Sequence, residues 1–286
     1  MAVLLDRFAS PEEMWHAPVG AIAALPGFAS AADRIAGGRD EGGLDRELEH
    51  AKCEGVRIVT LLDPEYPVLL REIEAPPTVL YLRGEGCLDT VRTIALVGTR
   101  RSSRYGRAVA ERLGEDLCRV GLIVVSGLAV GIDAAAHRGA LRGGGTTVAV
   151  LGSGLLKLYP ASHHSLAREI AQRGLLVSEY PLETRPAKWT FPQRNRVISG
   201  LSRGVVVVEA PERSGALITA RLGLEQGREV FAVPGNVTSL ASVGTNRLIR
   251  DGARLVEKVS DILSEFPDLS SLARPTGLDK EAAAEA

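Results

Sequence analysis

Cysteine is scarce. Cys53, Cys87 and Cys118 are the only three, they are widely spaced, and no C-x-x-C occurs. A disulfide scaffold and a cysteine-based zinc site are excluded, and a reducing cytoplasm is the expected setting. No apolar run approaches the roughly 20 residues that span a bilayer, so no membrane contact is expected. The amino terminus meets Asp6 at once and has no basic stretch before it, unlike a secretory leader. Two phosphate-binding signatures are also missing. G-x-x-x-x-G-K-[ST] does not occur, which excludes a P-loop ATPase. G-x-G-x-x-G follows no strand-like run, which argues against a dinucleotide dehydrogenase. Of the five histidines, His137 stands four residues after Asp133 with no third ligand in sight. A helix-capping Asp and a packed His account for that pair, and tandem His163-His164 is expected in solvent. Neither a metal nor a cofactor is expected.

What remains is ordinary for a globular chain: 286 residues, 45% hydrophobic and 24% charged. That length buries a sizeable core without staples. The net charge of −1 hides a strong asymmetry. Residues 1–60 and 257–286 each carry −4, and residues 61–256 carry +7. A basic body between acidic ends suits an anionic partner, although a bias toward arginine, 29 of 34 basic residues, produces the same sum.

Residues 1–55 read as short helices. Ser10-Pro11-Glu12-Glu13 orders an N-cap, a proline at the first helical position and a capping-box acid. Leu25-Pro26-Gly27-Phe28 resembles the turn of a helix-hairpin-helix, or a plain helix connection. Arg39–Gly43 reads as a polar break, 44–54 as a further helix and Val56–Leu61 as a short strand. A proline-punctuated connector, with a strand at Thr78–Leu82, leads into a regular pattern. Uninterrupted apolar runs recur at Ile94–Val97, Leu122–Val125, Thr147–Leu151, Leu175–Val177, Val205–Val208 and Glu229–Val233, with Arg254–Val256 as a short last one. Helical lengths at 104–120, 133–142, 161–173 and 215–227 separate most of them. Runs apolar throughout suit strands covered on both faces, and the alternation predicts a doubly wound, mostly parallel α/β sheet. The body is expected to span 56–265, with 266–286 as a tail.

Ligands of such sheets bind beyond the carboxyl ends of the strands. Those ends read Gly98-Thr99-Arg100, Ser126-Gly127-Leu128 and Gly152-Ser153-Gly154, small residues that let a backbone approach an anion closely, with one arginine among them. Glu179 and Glu209 end two further strands. They suit bonds to backbone N–H groups or arginines better than a catalytic carboxylate pair. The densest cluster is Arg185, Lys188, Arg194, Arg196 and Arg203, with no acid between Glu183 and Glu209. Tyr180, Trp189 and Phe191 interleave. Cations for phosphates and planes for bases are the ingredients of a single-strand nucleic-acid site, whereas core aromatics beside a solvated basic face would leave the same pattern.

These segments resemble the DNA-processing protein A family from about Asp63 to Leu263. Val97-Gly-Thr-Arg-x-x-Ser-x-Tyr-Gly, Ser126-Gly-Leu-Ala-x-Gly-Ile-Asp-x-x-Ala-His, Phe191-Pro-x-Arg-Asn-Arg, Glu209-Ala-x-x-x-Ser-Gly and Gly244-Thr-Asn-x-Leu-Ile carry the likeness, in order. The resemblance implies an extended Rossmann-like fold that binds single-stranded DNA in a basic pocket without catalysis. It implies protection of incoming strands and loading of the RecA recombinase in natural transformation. Arg100 matches the pocket arginine, Lys188 the basic position before Phe-Pro, and Arg194, Asn195 and Arg196 the Arg-Asn-Arg element. Where many relatives carry Asp, this chain has Leu156, and Lys157 is expected to supply charge nearby. A homodimer is implied through Gly244–Val256, with Asn246, Leu248, Ile249 and Leu255 in contact. The N-terminal helical region is expected to be short by a hairpin, and no counterpart of the relatives' C-terminal winged-helix domain is expected. The competing class is a phosphoribohydrolase of the lysine-decarboxylase-like type. Its Pro-Gly-Gly-x-Gly-Thr signature is absent, since Val233-Pro234-Gly235-Asn236 stops after one glycine.

Overall fold

Alternate residues of the apolar runs face opposite ways, as the two-residue period of a strand requires. Ile94 and Leu96 enter one buried cluster and Ala95 and Val97 another. The computed structural model describes residues 7–272 except 9, 87 and 89, and divides the chain into two units between Gly55 and Val56. In the second unit, nine strands form one sheet in the order β1-β2-β6-β5-β4-β3-β7-β8-β9. They are β1 Arg57–Thr60, β2 Val79–Arg83, β3 Thr93–Gly98, β4 Ile123–Ser126, β5 Thr147–Val150, β6 Leu175–Ser178, β7 Gly204–Glu209, β8 Glu229–Ala232 and β9 Arg254–Leu255. From β6 to β9 every pair is parallel; β2 pairs antiparallel with both β1 and β6. The sheet is thus mostly parallel and doubly wound, a Rossmann-like arrangement, as the alternation of strands and helices predicts.

The first unit contains α1 Pro11–His16, α2 Val19–Ala23, α3 Ala32–Gly37 and α4 Glu41–Cys53. Ser10 caps α1 by accepting the N–H of Glu13 at 3.1 Å. Ile22 and Ala32 are buried with Ala17 in a small core of their own. The α4 helix begins inside the expected polar break, because Asp40 caps it by accepting the N–H of Gly43 at 2.9 Å.

In the second unit the helices are α5 Val68–Arg71, α6 Arg104–Arg119, α7 Ile132–Arg142, α8 His164–Arg173, α9 Thr190–Gly200, α10 Gly215–Glu225, α11 Val243–Arg250, α12 Val259–Leu263 and α13 Pro267–Leu272. Ala110, Leu113 and Leu117 of α6 and Ile132, Ala135 and Ala136 of α7 cover one sheet face. Val197 and Ile198 of α9 and Ala216 and Ala220 of α10 cover the other.

Three expectations change. Helix α9 is absent from the periodicity because Pro192 and the four polar residues Gln193 to Arg196 break its stripe. Proline is tolerated there, at the third helical position, since the first N–H groups of a helix have no intrahelical partner. The body also does not stop at 265. Phe266 and Leu269 are buried in the core, and Arg203 lies over the Phe266 ring at 4.9 Å while pairing with Asp268. Residues 273–286 of the expected tail lie outside the described residues. Finally, His163 is 7% exposed rather than in solvent, and its Nδ1 donates to the carbonyl of Leu128 at 2.9 Å.

His137 is fully buried, with Nδ1 2.7 Å from the Thr147 hydroxyl, which itself donates to the Val124 carbonyl. That places the proton on Nδ1. Burial first, and the charges of His163 and Arg194 next, push its pKa down to about 3. The unfolded chain therefore binds a proton that the folded chain refuses between roughly pH 6.5 and 3, and stability falls as pH drops through that window. From pH 7 to pH 5 the wild type is expected to lose about 2 kcal/mol more than His137→Gln in urea titrations. Equal losses would mean that His137 protonates freely in the fold. Leu269→Ala is expected to lower stability by about 2–5 kcal/mol; an unchanged urea midpoint would place α13 outside the core.

Candidate functional site

The order of strands reverses beside β3: the chain moves outward through β4, β5 and β6 on one side and β7, β8 and β9 on the other. A cleft of about 760 Å³ opens at the carboxyl ends there, where open α/β sheets bind ligands. Gly98 to Arg101 line it at the end of β3, Lys188, Phe191, Arg194 and Asn195 around the start of α9, and Arg213 to Ala216 with Ile218 and Thr219 at the start of α10.

Its floor is set by Arg194, which is 4% exposed. One guanidinium nitrogen, Nη1, donates to the Gly127 carbonyl at 2.8 Å and also to the Val150 carbonyl, and Nε donates to Asn195 Oδ1 at 3.3 Å. Burial lowers its pKa to about 10, and the Asp133 carboxylate opposes that fall, so the group is charged at neutral pH. Asp133 Oδ2 accepts the N–H groups of Gly127 at 3.2 Å and Ala129 at 3.4 Å. Burial pushes the Asp133 carboxyl up, and Arg194 with these two N–H groups pulls it back. A Cβ on Gly127 would sit 2.5 Å from Arg194 Nη2 and 2.7 Å from Asp133 Oδ2. Glycine is required there because two side chains close over the backbone. The sequence predicts that Asp133 caps its helix; it sits in the first turn of α7, but the cap position is Gly131 without a side-chain bond, and the carboxylate takes N–H groups of the preceding loop instead.

The second buried acid works the same way. Glu209, at the end of β7, is 3% exposed and accepts the N–H of Ser103 at 2.7 Å, beside the first turn of α6. The amino ends of α6 and α7 thus already face carboxylates of the chain itself. The amino end of α10 does not: Ser214 caps it and its first turn holds no acid. Glu179 pairs with Arg196 at 2.5 Å and is separated from Glu209 by three intervening strands, so the two acids form no carboxylate pair.

Above this floor lies an exposed cation on an aromatic plane. The Arg100 guanidinium stands 4.9 Å from the Phe191 ring centroid, and Tyr159 packs against the same ring at 5.7 Å. Lys188 is exposed at the rim. A Cβ on Gly152 would meet Phe191 Cδ1 at 2.9 Å, so that glycine seats the ring.

The structure therefore brings together Gly98, Arg100, Lys188, Phe191, Arg194 and Asn195 on one cleft, but not the remaining residues singled out from the sequence. Lys157 is paired with Glu183 and Arg196 with Glu179, both outside the lining. Trp189 is 59% exposed and meets Tyr180 edge-on at 6.1 Å, away from the lining. Ser126, Gly127, Gly152 and Gly154 support from beneath: the Ser126 hydroxyl donates to the Leu96 carbonyl at 2.6 Å, and a Cβ on Gly154 would strike the Pro181 carbonyl at 2.1 Å. Tyr159, Arg101, Arg213 and Ser214 line the cleft without having been singled out. Arg101 and Arg213 stand at open positions of the motifs, and nothing in their local pattern marks them.

Near the carboxyl end, Asn246 bonds both backbone groups of Gly235, at 3.1 and 3.0 Å, which commits its side chain within the chain. Leu248 packs against the core, Ile249 is half-buried, and Leu255 is 46% exposed on β9, the outermost strand. Among the described residues no group of three or more His, Cys, Asp or Glu is placed to hold a metal, and no helix is long and apolar enough to cross a membrane.

A Rossmann-like sheet with a cation-rimmed cleft at its switch point defines the class: a doubly wound α/β protein whose strand ends open into a basic cleft. The model of the family described as DNA recombination-mediator protein A matches residues 57–267, and the chain belongs to that family. It is 42% identical to DNA processing protein DprA of Bacillus subtilis over 226 residues, 79% of this chain and 76% of that one. It is 44% identical to the Streptococcus pneumoniae protein of that name over 207 residues, 72% and 73% of the two chains. The X-ray structure of the S. pneumoniae protein superposes with a TM-score of 0.81 at 37% identity, covering 93% of this chain and 92% of that one. A Helicobacter pylori DNA processing protein A, solved for its single-stranded DNA binding mode, superposes at 0.66 with 31% identity, covering 74% and 96%.

Arg194 and Arg100 separate support from recognition. Arg194→Ala leaves two carbonyls and a buried carboxylate uncompensated, and is expected to cost about 3–5 kcal/mol in urea unfolding. Arg100→Ala, an exposed change, is expected to stay within about 0.5 kcal/mol of wild type. The reverse order would show that the floor does not depend on Arg194.

Proposed function

We propose that the protein binds single-stranded DNA in this cleft, does no chemistry on it, and needs no metal or nucleotide cofactor. The observation that carries the reading is the Arg100 guanidinium poised over Phe191 at the switch point. Arginine offers a planar fork to phosphate, and an aromatic ring offers a face to an unpaired base. Lys188, Arg101 and Arg213 add charge around the same opening. A duplex keeps its bases stacked inside and gains little from the ring, so single strands are favoured. The single-strand binding named for the H. pylori relative agrees with this reading. Membership of the recombination-mediator family supports a role beyond storage: the bound strand is incoming DNA in natural transformation, protected and then handed to the RecA recombinase in the cytoplasm. Self-association through the Gly244–Val256 region belongs to the same proposal. The exposed Leu255 on the edge strand is the residue there best placed to meet a second copy.

Fluorescence anisotropy with labelled oligo-dT across a salt series tests the binding. The wild type is expected to bind single strands more tightly than duplex and to weaken steeply with salt. Arg100→Ala is expected to weaken binding to all sequences alike and to flatten the log–log salt slope by about 0.7. Phe191→Leu is expected to weaken binding with little change of slope, because stacking releases no counterion. Wild-type affinity in folded Arg100→Ala at every salt concentration would move the site elsewhere. Sedimentation of Leu255→Arg is expected to give a folded monomer; an unchanged dimer would reject that surface.

A further inference from the structure

Several cations away from the cleft are matched with acids: Arg119 with Glu115, Arg142 with Glu111, Arg203 with Asp268 and Arg254 with Glu265. The first turn of α6 differs. Arg101 lines the cleft, Arg104 is the first residue of α6, and Arg107 follows one turn later; all three are exposed. None forms an ion pair with a described residue. Arg107 Nη1 reaches only the Ser102 carbonyl at 2.6 Å and its hydroxyl at 3.3 Å, both uncharged.

This is the wrong end of the helix for cations. The amino end carries the positive pole of the helix dipole, which favours acids and repels arginines. The first turn of α6 holds no acid at all. Glu209, whose carboxylate faces this end of the helix, is buried and already committed to the N–H of Ser103. Fold stability therefore gives no reason for three guanidiniums here, and a local arrangement that opposes stability is what a binding surface leaves behind.

Their spacing gives the shape of the partner. Arg104 and Arg107, at i and i+3, are neighbours on one helix face. They continue from Arg100 and Arg101, which already border the cleft. Tyr105 donates its hydroxyl to the Pro234 carbonyl at 2.9 Å, which fixes the rotation of this turn. A row of cations running out of a cleft fits a chain with regularly repeated negative charge. Arg104 occupies an open position of Val97-Gly-Thr-Arg-x-x-Ser-x-Tyr-Gly and Arg107 lies beyond it, so neither is among the residues that carry the family likeness.

The geometry points to a phosphate track that leaves the cleft over the first turn of α6, through Arg104 and Arg107, and holds the single strand beyond the nucleotides seated in the cleft. The inference rests on the proposed single-strand binding and deepens it.

The test compares labelled oligo-dT of about 6 and about 20 nucleotides, a range that brackets common single-strand site sizes. It uses wild type, Arg104→Gln and the double variant Arg104→Gln/Arg107→Gln. The double variant is expected to bind the long oligonucleotide roughly tenfold or more weakly at 0.1 M salt, with a slope shallower by about 1.4, two contacts at about 0.7 each. Arg104→Gln alone is expected to lose about half of that slope change. Affinity for the short oligonucleotide is expected to stay within about twofold, and melting at or above wild type, because the removed charges oppose the helix dipole. An unchanged slope on the long oligonucleotide, equal losses on both lengths, or a lowered melting temperature would each overturn the track. Failure of wild type to bind either length would instead overturn the reading of the cleft itself.

Discussion

The buried guanidinium of Arg194 is the constraint on which the cleft depends. It arises from α9, yet its hydrogen bonds end on the carbonyls of Gly127 and Val150, the exits of β4 and β5. A helix that follows β6 is thereby fastened to two other strands of the same sheet. The positive charge is tolerated in the interior because Asp133, at the start of α7, faces it and takes two loop N–H groups as well. A buried charge with one missing partner costs several kcal/mol, so the members of this set are expected to stand or fall together. Gly127 is the steric condition for the arrangement, because no side chain fits between the two charges.

Fastening α9 in this way places Phe191, three residues before Arg194. The ring rests over Gly152, touches Tyr159 and meets the Arg100 guanidinium coming from β3. Three segments distant in sequence thus converge on one surface, and each arrives by a different physical route. Arg100 follows a strand end, Phe191 rides a helix pinned by a buried cation, and the amino end of α10 is brought by the parallel pairing of β3 with β7. Glu209 belongs to the same logic. It keeps one helix amino end occupied from within, while α10 has no acid in its first turn.

Much of this architecture was legible in the residues. Strands buried on both faces announce themselves as unbroken runs such as Val205–Val208, and their ends locate the small residues that open the cleft. The arginines were harder. Arg100, Arg194 and Arg196 are the same residue type within one basic body, and only three-dimensional placement separates an exposed cation on a ring, a buried brace and a paired charge. The carboxylates that decide the matter, Asp133 and Glu179, lie far from Arg194 and Arg196 in sequence. Helix α9 was hidden because its periodic residues, Val197 and Ile198, come only after Pro192 and a polar stretch. The core role of Phe266 and Leu269 was masked by the polar residues around them, since two buried side chains make no detectable period.

Hydrogen–deuterium exchange of the protein with and without saturating oligo-dT tests most directly whether a single strand occupies the switch-point cleft. Added protection is expected in the segments around 98–107, 188–196 and 213–219. The helical unit of residues 11–53 is expected to exchange as in the free protein. Protection confined to that helical unit, with the three cleft segments unchanged, would contradict the account.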